Sequence, residues 1–219
     1  MPPMLFAHPF ASYCQKALIA FYENATPFTF RLLDKADPAT FAEFAELWPL
    51  KRFPLLVDQG RLVAEATIIV EHLAIYHPGP VQLIPEEPAA ALEARFLDRF
   101  FDNYIQTPMQ KIVGDSLRDP KERDAKGVAE ARALLDTAYA WLERRMADRE
   151  WAIGNRFSLG DCAAAPALFY ADWAHPIGER FPSVRVYRSH LNARPSFARA
   201  IEEARPYRHF FPLGAPDHD

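Results

Sequence analysis

Arg52-Phe53-Pro54-Leu55-Leu56 is the stretch that decides which fold this sequence predicts. Proline has no N–H and cannot donate a hydrogen bond to a sheet, so a proline that introduces an apolar strand needs a structural reason. A cis bond before Pro54 would bend the chain sharply and expose the backbone N–H and C=O of Phe53. An extended peptide can pair with such groups as if it were another strand. The stretch therefore predicts an open sheet edge that binds a peptide-like ligand.

The residues around this stretch have the pattern of a small α/β unit. In chain order, the apolar spacing predicts a strand at 4–7, a helix at 13–23, a strand at 28–33, a helix introduced by Asp37-Pro38, strands at 55–58 and 62–64, and a helix over 68–76. Because a helix joins the first two strands, they should lie parallel in one sheet. The turn Asp58-Gln59-Gly60 predicts that the last two strands form an antiparallel hairpin at the other edge.

A proline-rich segment separates this unit from a second part of the chain that is helical in pattern. His77-Pro78-Gly79-Pro80 ends the first unit. We expect the domain boundaries to be 1–78 for the α/β unit, 79–88 for a linker and 89–219 for the helical domain. Apolar spacing predicts helices at 89–103, 125–146, 163–170 and 195–204. The tail that begins at Arg205 has no regular pattern, but its aromatic residues should pack back onto the fold.

Composition argues against several classes of protein. The chain has 219 residues, half of them hydrophobic, and a formal net charge of −4 with no basic run, so nucleic acid is not an expected partner. No apolar stretch approaches the roughly 20 residues that span a bilayer, and the sequence opens without a secretory pattern. The two cysteines, Cys14 and Cys162, suit neither a disulfide framework nor a zinc site. We therefore expect a cytoplasmic protein with no metal and no membrane segment.

Three short stretches together resemble the cytosolic glutathione transferase family. They are Ser12-Tyr13-Cys14-Gln15-Lys16, the stretch from Arg52 to Leu56, and Phe157-Ser158-Leu159-Gly160-Asp161. The resemblance covers essentially the whole chain. It implies a thioredoxin-like α/β N-terminal domain followed by an all-α C-terminal domain. It also implies glutathione as a co-substrate, a homodimer, and a serine-type site with some features of the zeta class.

The resemblance makes Ser12 the candidate catalytic residue. A hydroxyl there would donate to the glutathione thiolate, and a helix N-terminus carries about half a positive charge that favours an anion. The alternative is that Ser12 only caps the helix. The reactive position in the wider superfamily is often one residue earlier, where this chain has Ala11. Cys14 is expected to be a buried apolar residue, and a thiol that reaches the site is the alternative.

The resemblance also implies which residues hold glutathione. The backbone of Phe53, ahead of Pro54, would pair with the cysteinyl unit, and Arg52 would meet the glycyl carboxylate. Glu65 would bind the ammonium group of the γ-glutamyl end. Ala66 stands where the family has Ser or Thr, so one hydrogen bond to that end is lost. The alternatives are a solvated surface charge for Arg52 and a residue that complements the helix dipole for Glu65.

The helical domain should supply the site for a second, hydrophobic substrate. The candidates are Tyr104, Met109, Phe169, Trp173 and Phe210. Apolar residues at helical spacing are more often ordinary core, and that reading stays open for each of them. Ser158 and Asp161 predict a capping box that starts a buried helix and has a structural role only.

Three kinds of function are open on the sequence alone. The first is a glutathione transferase, whose activated thiolate attacks a small hydrophobic electrophile. The second is a low-activity protein that binds glutathione or a hydrophobic ligand, because Ala11 and Ala66 leave two hydroxyls out of the site. The third is a glutathione-dependent isomerase, or a reductase that acts through Cys14.

Overall fold

The computed structural model describes residues 2–219, and its N-terminal part contains a four-stranded sheet. The strands are β1 (Met4–Ala7), β2 (Thr29–Leu32), β3 (Leu55–Asp58) and β4 (Arg61–Ala64), and their order across the sheet is β2-β1-β3-β4. β1 and β2 are parallel, whereas β3 is antiparallel to both β1 and β4. The predicted parallel pair and the hairpin at the opposite edge are confirmed.

Three helices complete this unit. They are α1 (Ser12–Glu23), α2 (Pro38–Leu47) and α3 (Ala66–Tyr76). α2 begins as its sequence predicts, because the carboxylate of Asp37 accepts a 3.1 Å hydrogen bond from the N–H of Thr40 and Pro38 takes the first helical position. The bond between Phe53 and Pro54 is cis, as predicted, and β3 follows directly.

The remainder of the chain is helical. Its α-helices are α4 (Pro88–Phe100), α5 (Thr107–Ser116), α6 (Ala125–Met146), α7 (Leu159–Ala174), α8 (Pro182–Ala193) and α9 (Pro195–Ala204). The predicted fold class, a thioredoxin-like α/β domain followed by an all-α domain, is confirmed. Within residues 2–219, no helix combines the length and the apolar content that crossing a bilayer requires.

Four of these helices differ from the sequence prediction: α4, α5, α7 and α8. α7, expected at 163–170, spans Leu159–Ala174. The helix predicted at 89–103 ends at Phe100, and a π-helical turn (Phe101–Gln106) carries the chain into α5, which was not predicted. α8 was also not predicted, although its buried positions recur at helical spacing, at residues 184, 187, 188 and 191.

α7 is the central helix of the helical half, and nearly all of its residues are buried. Its predicted capping box is confirmed. One oxygen of Asp161 accepts hydrogen bonds from the N–H and the hydroxyl of Ser158, at 2.9 and 3.0 Å. The other oxygen accepts from the N–H of Ala152 at 2.8 Å and from the hydroxyl of Tyr187 at 2.7 Å. This carboxylate therefore ties the start of α7 to the preceding loop and to α8.

The C-terminal tail packs back onto α7, as predicted. After a 3₁₀ turn (Arg205–Phe210), the buried ring of Phe211 lies against Trp173 and Tyr170, with ring centroids 5.2 and 6.3 Å apart. This contact brings the tail beside the start of α1, because the hydroxyl of Tyr170 also donates a 2.9 Å hydrogen bond to the carbonyl of Phe10.

Candidate functional site

A cavity of about 690 Å³ lies between the N-terminal unit and the helical half. Ser12 and all five residues that the sequence suggests for glutathione line this one cavity: Arg52, Phe53, Pro54, Glu65 and Ala66. The helical half supplies the opposite wall, with Arg99, Asp102, Asn103, Gln106, Met109, Gln110, Val113, Leu117, Tyr170 and residues 210–212. The fold thus brings together residues that lie far apart in the chain.

The first turn of α1 forms part of the cavity wall. Ala11 occupies the N-cap position and offers no side-chain acceptor, so Ser12, the first helical residue, does not serve as the cap. The amide of Gln106 donates a 2.5 Å hydrogen bond to the hydroxyl oxygen of Ser12. Because this oxygen accepts that bond, the hydroxyl proton is left to donate elsewhere. The helix terminus and the Ser12 hydroxyl together favour an anion in the cavity.

Two residues of the cavity have unusual backbone angles. The φ angle is +71° at Glu65 and +52° at Lys51, in the left-handed region that favours glycine. Such angles cost on the order of 1–3 kcal/mol and are concentrated at ligand-binding sites. Glu65 is also the N-cap of α3, so a second helix N-terminus, beginning at Ala66, opens onto the cavity.

An ion cluster that joins α1, α3 and α4 lies in the same wall. Lys16 of α1 is 1 % exposed and contacts Asp98 at 2.5 Å and Asp102 at 2.9 Å. Arg99 contacts the same two carboxylates, at 2.7 and 2.6 Å. The hydroxyl of Thr67 accepts from Lys16 at 2.9 Å and from Arg99 at 2.6 Å. Two cations balance two carboxylates, so the cluster fixes three helices at the cavity without leaving a buried charge unpaired.

The thiol of Cys14 lies outside the cavity. Its side chain is fully buried, and the N–H of His8 donates to its sulfur at 3.5 Å. Burial raises the pKa of this thiol to about 12, although the hydrogen bond from His8 acts in the opposite direction. A buried, protonated thiol is a poor nucleophile, so this geometry disfavours a reductase that acts through Cys14.

Tyr13 also lines the cavity, and its hydroxyl stays protonated at neutral pH. Burial, followed by the nearby carboxylate of Asp102, raises the pKa of Tyr13 to about 12. Tyr13 is therefore a possible hydrogen-bond donor, next to Ser12, that the sequence analysis did not single out.

The five hydrophobic candidates divide into two groups. Met109 and Phe210 line the cavity. Tyr104, Phe169 and Trp173 are not among the residues that line it, so their role at a second-substrate site stays a prediction. Tyr104 is 48 % exposed outside the cavity, whereas Phe169 and Trp173 are buried in the core around α7. Helical spacing identified apolar positions correctly but did not tell which side of each helix faces the cavity.

Comparison with known proteins assigns the family. The sequence matches the family models "Glutathione S-transferase, N-terminal domain" over residues 5–81 and "Glutathione S-transferase, C-terminal domain" over residues 125–206. The chain belongs to the glutathione S-transferase family. The resemblance found in the sequence is thereby confirmed.

Individual relatives of this glutathione S-transferase family member carry different names. A probable maleylacetoacetate isomerase from Vibrio cholerae is 30% identical over 75% of this chain and 78% of its own. FtsZ-localized protein A from Caulobacter vibrioides is 26% identical over 75% of this chain and 76% of its own. The crystal structure of a glutathione S-transferase from Methylobacterium radiotolerans, in complex with glutathione sulfonate, is 30% identical with a TM-score of 0.79, and covers 92% of this chain and 95% of that chain.

The part of this glutathione S-transferase site that comes from α4 and the π-helical turn was missed at the sequence level. These residues are Arg99, Asp102, Asn103 and Gln106. One signal was available, because Lys16 lies within the apolar pattern of α1 and a buried lysine needs a carboxylate partner. Asp98 and Asp102, one helical turn apart, supply that partner.

Proposed function

We propose that this chain is a glutathione transferase that binds glutathione across the cavity between Phe53 and Glu65. One observation carries the proposal: the uncapped N-terminus of α1, the Ser12 hydroxyl and the cis Phe53-Pro54 segment converge in a single cavity. The backbone of Phe53 would pair with the cysteinyl unit. Arg52 would receive the glycyl carboxylate and Glu65 the ammonium group, so that the thiol lies over the first turn of α1.

The proposed chemistry is activation of a thiol. A free thiol has a pKa near 8.5, so only a few per cent is thiolate at neutral pH, and the thiolate is the nucleophile. The N-terminus of α1 and the proton of the Ser12 hydroxyl stabilise the anion, and each pKa unit gained corresponds to about 1.4 kcal/mol. The thiol proton passes to solvent and sulfur forms a bond to an electrophilic carbon. The leaving group departs with its bonding electron pair.

The second substrate would be a small hydrophobic electrophile. The wall that faces Ser12 from α5 and the tail is largely apolar, and its members are Met109, Val113, Leu117, Phe210, Phe211 and Pro212. The cavity volume lies in the range of roughly 300–1,000 Å³ that is usual for small-molecule sites.

A glutathione-dependent isomerase is the second candidate, and the 30% identity to a probable maleylacetoacetate isomerase supports it. In an isomerase the thiolate adds to the substrate and later leaves, so glutathione is not consumed. A binding protein with little catalysis is a third candidate. It is supported by Ala11 and Ala66, which line the cavity and leave two hydroxyls out of it.

Two measurements on the wild-type protein separate these candidates. Calorimetric titration with glutathione tests binding. Steady-state assays test whether glutathione is consumed in conjugation to 1-chloro-2,4-dinitrobenzene, and whether maleylacetoacetate is converted while glutathione is not consumed. We expect saturable binding and conjugation. Conversion of maleylacetoacetate without conjugation would favour the isomerase. Binding without turnover of either substrate would favour the binding protein, and no binding of glutathione would contradict the proposal.

The proposal includes a homodimer in the cytoplasm. Apolar side chains remain exposed on α3 and α4, namely Ile68, Ile75, Leu92 and Phe96, and a second copy of the chain would cover them. Both cysteines are free and buried, which suits a reducing compartment.

A further inference from the structure

A carboxylate and two imidazoles meet at the end of β3 that lies farthest from the cavity. Asp58 is the last residue of β3, whereas Pro54, which lines the cavity, precedes the first residue of that strand. His72 of α3 and His77, which follows α3, both place Nε2 against Asp58 Oδ2, at 2.8 and 2.7 Å. The ligand atoms of the three residues all lie within 4.8 Å of one another.

The cluster is closed on one side and open on the other. The side chains of Asp58 and His72 are 3 % and 8 % exposed, and that of His77 is 23 % exposed. Asp58 Oδ1 is buried and has no hydrogen-bond partner among the described residues 2–219. A buried carboxylate oxygen without a donor is costly, and a cation would offset that cost. His77 provides the side from which an ion could enter.

Asp58 supplies a carboxylate ligand, and the side chains of His72 and His77 flank it with imidazole nitrogens. The carboxylate and the two imidazole nitrogens therefore offer three ligand atoms within 4.8 Å of one another.

We propose that Asp58, His72 and His77 form a binding site for a divalent transition-metal ion, with Zn²⁺ as the favoured occupant. Two imidazoles and one carboxylate are a donor set that Zn²⁺ takes in three-ligand sites, where water completes a tetrahedron. Mg²⁺ and Ca²⁺ are disfavoured, because these hard cations prefer oxygen ligands.

The geometry needs only a small adjustment. Bonds of roughly 2.0–2.1 Å at tetrahedral angles place neighbouring ligand atoms about 3.3 Å apart. The two N···O separations, 2.8 and 2.7 Å, are shorter, so the ligands must move outward by about half an ångström. A ring that binds the ion through Nε2 is neutral and carries its one proton on Nδ1.

A bound ion would tie β3 to the C-terminal end of α3 and leave the proposed glutathione site untouched. We therefore expect the ion to stabilise the fold by linkage, and expect conjugation rates to be the same with and without it. The proposals of a metal site and of a glutathione site are tested independently, because Zn²⁺ and glutathione are titrated separately.

The first test uses untagged full-length protein dialysed against a chelator. Calorimetric titration with Zn²⁺ should show one saturable site, and Co²⁺ should give visible d–d bands without a thiolate charge-transfer band, because Cys14 and Cys162 are buried elsewhere. Absence of a saturable site for Zn²⁺ would overturn the proposal, and a thiolate band would place the ion at a cysteine instead.

Variants locate the site. His77→Gln, at the more exposed ligand, should weaken Zn²⁺ binding at least tenfold and abolish the rise in Tm that Zn²⁺ produces, and Asp58→Asn should do the same if its fold survives. His190→Gln, at an exposed position on α8, is the matched control and should behave as wild type. Circular dichroism verifies folding of each variant. Undiminished binding by folded His77→Gln would contradict the proposal.

Discussion

Ser12 contributes a single hydroxyl to the proposed site, so its removal is a clean test at the level of one residue. We predict that Ser12→Ala lowers kcat/KM for conjugation roughly ten- to hundredfold near neutral pH, because a hydrogen bond to a charged group is worth about 1.5–3 kcal/mol. The affinity for glutathione should change little, since the peptide contacts remain. Initial rates at varied glutathione concentration measure both effects.

The rate deficit of Ser12→Ala should depend on pH in one direction. Loss of the Ser12 hydroxyl raises the pKa of the bound thiol, so the deficit of Ser12→Ala should shrink as the pH rises through that pKa and more thiolate forms unaided. Ser12→Thr retains a hydroxyl and is the control. Equal rates for Ser12→Ala and wild type across the pH range would show that the terminus of α1 alone activates the thiol.

Ser158 provides a contrasting case, because its role is structural. We predict that Ser158→Ala lowers the free energy of unfolding by about 1 kcal/mol, the usual cost of losing a helix-capping hydroxyl, and leaves conjugation rates unchanged. The lost contact is the 3.0 Å hydrogen bond to Asp161. Urea unfolding measures the change. Ser189→Ala on α8 is the control, because the Ser189 hydroxyl donates only to the carbonyl of Arg185 in the same helix. A loss of activity without a loss of stability would contradict this role.

At the scale of elements, the ion cluster around Lys16 holds α1, α3 and α4 together beside the cavity. We predict that Lys16→Met lowers the free energy of unfolding by about 3–5 kcal/mol, because it leaves Asp98 and Asp102 with a single cation. Lys126→Met is the matched control, since that lysine is 89 % exposed in a long ion pair and should cost almost nothing. Chemical unfolding compares the two, and similar small losses would show that the cluster is not a structural anchor.

Elements with signals at both ends were predictable from the sequence. β1, α6 and α9 begin and end where the pattern places them; Asp124 caps α6, and Pro195 takes the first position of α9. α5 was missed because it continues from α4 through a π-helical turn, so no non-helical residue separates the two helices, and Pro108 in its first turn is the one sequence signal of its start.

The site residues also divide into those that local sequence signals mark and those that only packing places. Ser12, Phe53 and Glu65 lie at element boundaries, where local sequence fixes the geometry, and the structure places all three in the cavity. Gln106, which contacts Ser12, lies inside a helical stretch. The side of a helix that faces a cavity depends on packing between distant elements, and one sequence does not encode that in a local pattern.

At the scale of the whole molecule, four of the exposed apolar side chains lie on two neighbouring helices. Ile68 and Ile75 are 52 % and 67 % exposed and stand two turns apart on α3, and Leu92 and Phe96 are 69 % and 50 % exposed and stand one turn apart on α4. The two helices are neighbours, since Arg95 of α4 pairs with Glu71 of α3 at 2.9 Å. Exposed apolar side chains on neighbouring helices are a common feature of protein interfaces.

We predict that the wild-type protein has twice the 25.0 kDa mass of one chain in solution and that Leu92→Glu converts it to a monomer. Two copies of the introduced carboxylate would lie buried in a symmetric interface without a partner, a cost of several kcal/mol that exceeds what one exposed leucine contributes to the fold. Light scattering coupled to size-exclusion chromatography measures the masses. Val186→Glu, equally apolar-to-charged but on α8 and 56 % exposed, should remain dimeric. A monomeric wild type would show that the protein does not dimerise. A Leu92→Glu variant that stays dimeric would show that the interface lies elsewhere.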